Sequence, residues 1–388
     1  MTKSSISIGL VLLLFSAMIL LSAMSSVTKV RAQLEWEVTA TEVIVRTPEF
    51  EIHVSKRGGI VAYYLGGAQV LGDTSLAFWG PGWSGFWQTT WEGEITKEPD
   101  IEQFEGGVKI TTYCRWDIPK GLYFDFITVH RIYESGAVVI SYLVKTWEAS
   151  DFAGAAIFVR YPCDVFKGRY FAAFRGGNLV FEVEKLPEEH EPGSGFWQIQ
   201  SGVFSVAYIS APGGAINVIL AYITPSEIDT ELSDEREWGG NEYATKGWIQ
   251  DLVPKTAGGE ANFTWIIFPH TRGGEFNKRA VEIMQLQASA YSYVAKVERI
   301  ARSAAAKENL AKAKALLPKV LEAICRADLD TAKRYADEAY NYARAAFTIE
   351  LRRASTLYII IPLVVCVVVL GWAIRRWARS WKAERIEG

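Results

Sequence analysis

Four tryptophans, Trp79, Trp83, Trp87 and Trp91, recur every four residues in FWGPGWSGFWQTTW, Phe78–Trp91. Indole faces stack on the apolar faces of sugar rings, and the neighbouring Gln88, Thr89 and Glu92 carry groups that bond hydroxyls. Spacing by four suggests a helix, but Gly80, Pro81, Gly82 and Gly85 would weaken one greatly. The stretch reads as a long loop leading into a strand. Rings of this size are either core, plugging the mouth of a sandwich, or a binding surface. The sequence leaves both open.

A second stretch, Ile228–Trp248, crowds Asp229, Glu231, Asp234, Glu235 and Glu237 into a turn-like segment with Trp238, Tyr243 and Trp248 between them. Carboxylates beside aromatics serve glycosidases and sugar binders alike. Clustered acids also hold calcium, although no EF-hand spacing is present. A solvated acidic loop is the plainer reading. Trp238 joins the four earlier tryptophans as a candidate ligand contact. The histidines are scattered. His53 and His130 fall in strand patterns and read as structural, while His190 sits in the charged run Glu188–Glu191. No Gly-x-Ser-x-Gly elbow, HExxH or phosphate-cradling glycine loop occurs, and Ser201 and Ser205 lack a nucleophile context. The sequence assigns no catalytic residue, no metal site and no cofactor.

These groups need a scaffold, and its pattern is short and alternating from Glu35 to about Phe268. Val43–Thr47, Phe50–Val54 and Ile60–Tyr64 read as strands, with Gly58-Gly59 and Gly66-Gly67 as turns. Further strands follow at Val108–Tyr113, Tyr123–Tyr133, Val138–Thr146, Ala155–Arg160, Ile216–Thr224 and Phe263–Phe268, among others. So many strands with no long helix between them predict a mainly β fold, a large antiparallel β-sandwich over 33–272.

From about Phe276 the composition turns to Ala, Lys, Glu and Arg. Apolar residues recur three and four apart, from Val297 to Ile324. Then comes an alanine seam, Ala332, Ala336, Ala339, Ala343 and Ala346. That spacing predicts an antiparallel α-helical hairpin, a stalk over 275–353, with Pro318 as a kink or break and Asp328 or Asp330 as a cap. A helical layer packed on the sandwich is the alternative. Leu357–Ile374 is free of charge and about 27 Å long as a helix, which predicts a single transmembrane helix. Arg375, Arg376, Arg379, Lys382 and Arg385 follow it, so the tail 375–388 is expected in the cytoplasm. At the other end, Lys3 and the apolar run Ile6–Leu21 predict a signal peptide over 1–32, cut after Ala32.

The exported part then carries a net charge of about −9 by count of its acidic and basic residues, which argues against nucleic acid as a partner. Cys114 and Cys163 are the two cysteines of the β region. Outside the cell they form a candidate disulfide, and otherwise they are buried thiols. Asn262-Phe263-Thr264 is a glycosylation sequon within a strand pattern.

Phe50–Val61 followed by Gln69-Val70-Leu71 resembles the opening hairpins of galactose mutarotase-like β-supersandwich domains. Arg131–Ile140 is similar to the central hairpin of that family, and Thr264–Pro269 to its closing strand. The resemblance covers about Val43–Pro269 and implies the fold and a role in handling carbohydrate. Mutarotases of that family carry a histidine in an Asn-His context and a late glutamate. No histidine here follows an asparagine, so no catalytic residue carries over.

These readings converge on a membrane-anchored cell-surface protein, N-terminal domain outside, with the bilayer and a glycan as partners. Its ectodomain is expected to bind carbohydrate without transforming it. Two alternatives stand beside this: a structural envelope subunit forming a homo-oligomer through the stalk, and an extracellular carbohydrate-active enzyme using acids of Asp229–Glu237.

Overall fold

The computed structural model describes residues 34–118, 121–210 and 215–384. The leader-type segment 1–32 lies outside them. In chain order the strands are β1 Glu35–Val38, β2 Glu42–Arg46, β3 Phe50–Ser55, β4 Ile60–Leu65, β5 Ala68–Leu71, β6 Thr74–Trp79 and β7 Phe86–Gln88. Next come β8 Glu94–Phe104, β9 Gly107–Ile118, β10 Leu122–Tyr133, β11 Val138–Thr146, β12 Gly154–Pro162, β13 Tyr170–Arg175 and β14 Asn178–Val183. The series closes with β15 Gln198–Phe204, β16 Val206–Ser210, β17 Asn217–Thr224, β18 Ile228–Asp234, β19 Glu242–Trp248 and β20 Glu260–His270.

Two antiparallel sheets result. The first runs β1-β2-β3-β4-β6-β12-β19-β18-β15, with β5 on β4 and β7 on β6. The second runs β14-β13-β16-β17-β20-β11-β10-β9-β8. The main core fills the space between them. Val43, Ile52, Phe78, Ile157 and Tyr243 come from the first sheet, and Ile110, Trp116, Phe126, Tyr142 and Trp265 from the second. Period-two alternation sorts each strand. On β10, Phe124, Phe126, Thr128, His130 and Ile132 face inward and their neighbours outward. Burial holds His130 neutral, its pKa pushed down to about 3, as befits a core histidine. Gly59, at φ 80°, turns β3 into β4, and a Cβ there would stand 2.7 Å from the Thr74 carbonyl oxygen.

Three helices follow: α1 Gly274–Ile300, α2 Ala304–Cys325 and α3 Leu329–Glu384. They cover the outer face of the second sheet. Val139, Ile219, Ala221, Ile266 and Phe268 pack there against Val281, Met284, Val320, Ile324, Ala332 and Ala336. The whole alanine seam from Ala332 to Ala346 is buried. The expected two-helix hairpin is therefore a three-helix layer docked on the sheet. Its extra break, at Ala301–Ser303, has a local cause. The Ser303 hydroxyl accepts from the Ala306 N–H and caps α2, while Glu350 on α3 accepts from the Arg302 and Ser303 N–H groups at 2.9 and 2.7 Å. Pro318 lies inside α2, which continues through it. Asp328 accepts from the Thr331 N–H at the start of α3.

Those two backbone N–H groups, with the Ser303 side chain, hold the Glu350 pKa down at about 2. A depressed acid stabilises the fold fully above its unfolded value and loses that contribution as pH falls toward the folded one. Glu350→Gln is therefore expected to lower the melting temperature at pH 7, with the gap to wild type closing between about pH 4.5 and 2. Thermal unfolding by circular dichroism across that range tests this; a gap independent of pH contradicts it.

Two expectations are corrected. The run Leu357–Ile374 is not a separate spanning helix. It continues a helix of 56 residues whose charged first part docks on the sheet. Among the described residues no helix is long and apolar enough to cross a membrane. The bilayer partner and the cytoplasmic tail depend on that span and have no other support. Cys114 and Cys163 are not bonded. Each is a buried free thiol, one on β9 of the second sheet and one at the helical turn after β12 of the first. Burial pushes their pKa values up to about 12 and about 11.

Candidate functional site

The outer face of the second sheet is occupied by the helical layer. The outer face of the first sheet carries large rings. Alternation places them: Leu76 and Phe78 of β6 enter the core, so Ala77 and Trp79 face outward. On β12, Ile157, Val159 and Tyr161 are core, so Ala156, Phe158 and Arg160 face outward. On β19, Ala244, Lys246 and Trp248 alternate with the core residue Tyr243 in the same way. Register then brings them side by side. Ala156 opposes Trp248 and Phe158 opposes Lys246 across β12–β19, while Trp79 opposes Phe86 across β6–β7.

The loop Gly80–Gly85 adds Trp83. Trp83 itself has φ 63°, a left-handed backbone that a bulky side chain rarely adopts. The loop is closed by the Trp83 N–H donating to the Gly80 carbonyl at 3.0 Å and the Ser84 hydroxyl donating to the Pro81 carbonyl at 2.7 Å. Its indole lies against β12. A Cβ on Gly154 would stand 2.9 Å from the Trp83 ring. The rings form one contiguous group. Trp79 stands 6.1 Å from Trp83, 5.2 Å from Trp248 and 5.2 Å from Phe86 by ring centroid, and Phe86 stands 6.0 Å from Trp91. Trp83 is 59% exposed and Trp91 44%, while Trp79, Phe86 and Trp248 are half-buried beneath them.

The charged groups of this face are paired among themselves. Lys246 is bonded to Glu231 at 3.2 Å and Glu235 at 2.9 Å, and its ammonium stands over the Trp238 and Phe158 rings. At the end of β18, where Asp234 turns inward beside Tyr243, Arg236 is bonded to Asp234 at 2.7 Å, and His190 to Glu237 at 2.9 Å. Arg160 stacks under Trp91 and sits 3.6 Å from Asp73. Burial, the largest cause, raises the Asp73 pKa to about 6 despite the Arg160 guanidinium. Toward the β2–β3 edge, His53 is held between Glu42 and Glu51.

Trp79, Trp83 and Trp91 thus meet on one face, and Trp238 joins them through Lys246. Trp87 does not: it is the inward residue of β7 and packs on the main core. The acids of the second stretch serve as pairing partners, except Asp229, which is exposed. No group of three or more His, Cys, Asp or Glu among the described residues is arranged to hold a metal. Asn262 is exposed on β20, opposite Leu143. Phe86, Phe158, Arg160, Lys246 and Trp197 escape the sequence reading. The signal for Phe158 and Arg160 is their alternation with Ile157, Val159 and Tyr161.

No family model matches the chain, and no curated protein matches it. Solved structures do. A galactose mutarotase-like protein from Lactobacillus casei is 11% identical, with a TM-score of 0.38, covering 59% of this chain and 100% of its own. A candidate aldose 1-epimerase from Klebsiella pneumoniae is 10% identical, with a TM-score of 0.41 and coverage of 61% and 83%. A 4-alpha-glucanotransferase from Thermococcus litoralis is 10% identical, with a TM-score of 0.35 and coverage of 62% and 39%. The chain is diffusely similar to galactose mutarotase-like and aldose epimerase proteins.

Proposed function

We propose that this protein binds carbohydrate, without transforming it, on the outward face of its first sheet. One observation carries this reading. One outer face of the sandwich is covered by helices, while the other presents a contiguous ring group whose most exposed indole, Trp83, is held out on a left-handed backbone. Exposed aromatics fixed at a backbone cost are a feature of binding surfaces rather than of packing. Binding is favoured over catalysis because the acids near the rings are engaged by Lys246, Arg236, His190 and Arg160. Assembly through the helices is disfavoured because the alanine seam is already buried within the layer. Export of the β domain is part of the proposal and rests on the pattern of Lys3 and Ile6–Leu21; protease shaving of intact cells tests it separately.

Glycan-array screening followed by calorimetric titration tests the binding itself. Trp83→Ala and Trp91→Ala are each expected to weaken binding about tenfold, the worth of one stacked ring, while leaving the unfolding midpoint nearly unchanged. Undiminished binding in both variants rejects this face, and release of sugar products by the wild type rejects the non-enzymatic reading.

A further inference from the structure

The ring group of β6, β7 and β12 is not alone on this face. Trp238, on the 3-10 turn Glu235–Trp238, is 57% exposed and stands 5.7 Å from Trp197, the residue just before β15. Both rings are fixed in place. Asp234 accepts from the Arg236 N–H, and its own N–H donates to the Trp197 carbonyl. Glu237 accepts from the N–H groups of Gly193 and Gly195 and from His190, which staples the preceding loop. Between the two ring groups lies Lys246, 5.8 Å from the Phe158 ring and 4.6 Å from that of Trp238. The cross-strand row Phe158, Lys246, Glu231 ties the two groups together.

The first group is carried by β6, β7 and the adjoining end of β12, the second by the turn before β19 and the residue before β15. The Phe158 ring and Lys246 lie between them, so one sugar ring does not cover both. The charge of the face selects as well. Glu231 and Glu235 outnumber Lys246 on the outward face beside the second ring group, Glu237 adds a third acid at the turn, and Lys246 is already bonded to the first two. A carboxylated or sulfated chain would meet like charge there.

Building on the carbohydrate-binding reading above, we infer that the ligand is an extended, uncharged oligosaccharide lying across the strands. The Trp83–Trp91 group and the Trp238–Trp197 pair are then separate stacking subsites. The two subsites act as linked contacts, so a chain long enough to reach both gains affinity that a short one does not.

Titration of the full chain with malto-, cello-, xylo- and chito-oligosaccharides, monomer to hexamer, tests this, with heparin and polygalacturonate as charged probes. One neutral series is expected to bind at least tenfold tighter as hexamer than as dimer. Trp238→Ala is expected to remove that gain and keep the dimer affinity, while Trp83→Ala weakens every length. Trp197→Ala provides the same test should Trp238→Ala unfold. Equal affinity at all lengths, a length gain that survives both Trp238→Ala and Trp197→Ala, or binding of the charged polymers alone overturns the inference and leaves the carbohydrate site standing. Binding of no sugar, or self-association of the wild type abolished by Trp83→Ala, overturns both.

Discussion

Phe78→Ala is expected to cost about 3–5 kcal/mol of folding stability, the usual range for emptying a buried phenylalanine site. The position explains why. Phe78 is fully buried, with ring centroids of Phe124, Trp116, Phe152 and Phe126 at 5.0, 5.3, 5.6 and 6.1 Å. It comes from the first sheet, and three of those partners from the second, so the deletion opens a void where the sheets meet. Aromatic rings on four sides cannot collapse into that void without leaving their preferred tilted and edge contacts. Urea unfolding at pH 7 is expected to show a lower midpoint with an unchanged slope. Trp79, the next residue, faces the opposite way, so binding by the population that remains folded is expected to stay near wild type. Trp83→Ala is expected to give the reverse, with stability within about 0.5 kcal/mol of wild type and binding weakened. A loss below about 1 kcal/mol for Phe78→Ala contradicts the placement of that ring.

The same alternation sets what the sequence could disclose. Strands such as β3, β10, β11 and β20 are readable because β-branched and aromatic residues alternate between glycine turns, and turns such as Gly58-Gly59 need a positive φ. The alanine seam of α3 is readable because its spacing allows only one buried stripe. The tryptophan stretch misleads because its period of four belongs to no regular element present. Trp79 is the outward end of β6. Gly82, Trp83 and Gly85 take positive φ in the loop, and Trp87 is the inward residue of β7. Phe158, Arg160 and Lys246 are invisible as a site for a different reason. Alternation says which residues share a face, but not which face the helices leave open. That choice is made by Val139, Ile266 and Phe268 packing beneath Val281, Met284 and Ile324, contacts between separate elements that a reading of one strand at a time does not reach. The break between α1 and α2 is likewise set at a distance, by Glu350 reaching the Arg302 and Ser303 N–H groups from α3. Leu357–Ile374 reads as a separate span because hydropathy is judged over a short window, while the helix that contains it begins at Leu329.

Asp73→Asn is expected to change the pH dependence of stability by about 3 kcal/mol, the equivalent of moving one carboxyl pKa from its ordinary value to about 6. Asp73 sits just before β6 with little solvent contact, and burial penalises its charged form. Arg160, Thr90 and Trp91 recover only part of that penalty. The direction follows from proton counting. Between about pH 4 and 6 the native state holds a proton that the unfolded chain has released, so wild-type stability falls as pH rises through this window. Asparagine has no proton to lose, so the variant lacks this fall. The stability of Asp73→Asn relative to wild type should therefore shift in its favour by up to about 3 kcal/mol from pH 4 to pH 7.5. The shift is expected to build up between about pH 4 and 6, half of it by roughly pH 5, and to level off above the folded pKa of about 6. Urea unfolding at half-unit pH steps measures it, and parallel curves for the two proteins would sink it. The site provides its own reporter. Arg160 faces Asp73 on one side and the half-exposed Trp91 ring, 5.3 Å away, on the other. When Asp73 takes up its proton, Arg160 loses a counterion beneath an indole of the ring group, and native-state tryptophan emission should change with a midpoint at the folded pKa, near pH 6. Asp73→Asn should abolish that transition while Trp83→Ala leaves it in place. The first sheet would then carry, under one edge of its aromatic surface, an acid that titrates without touching a ligand.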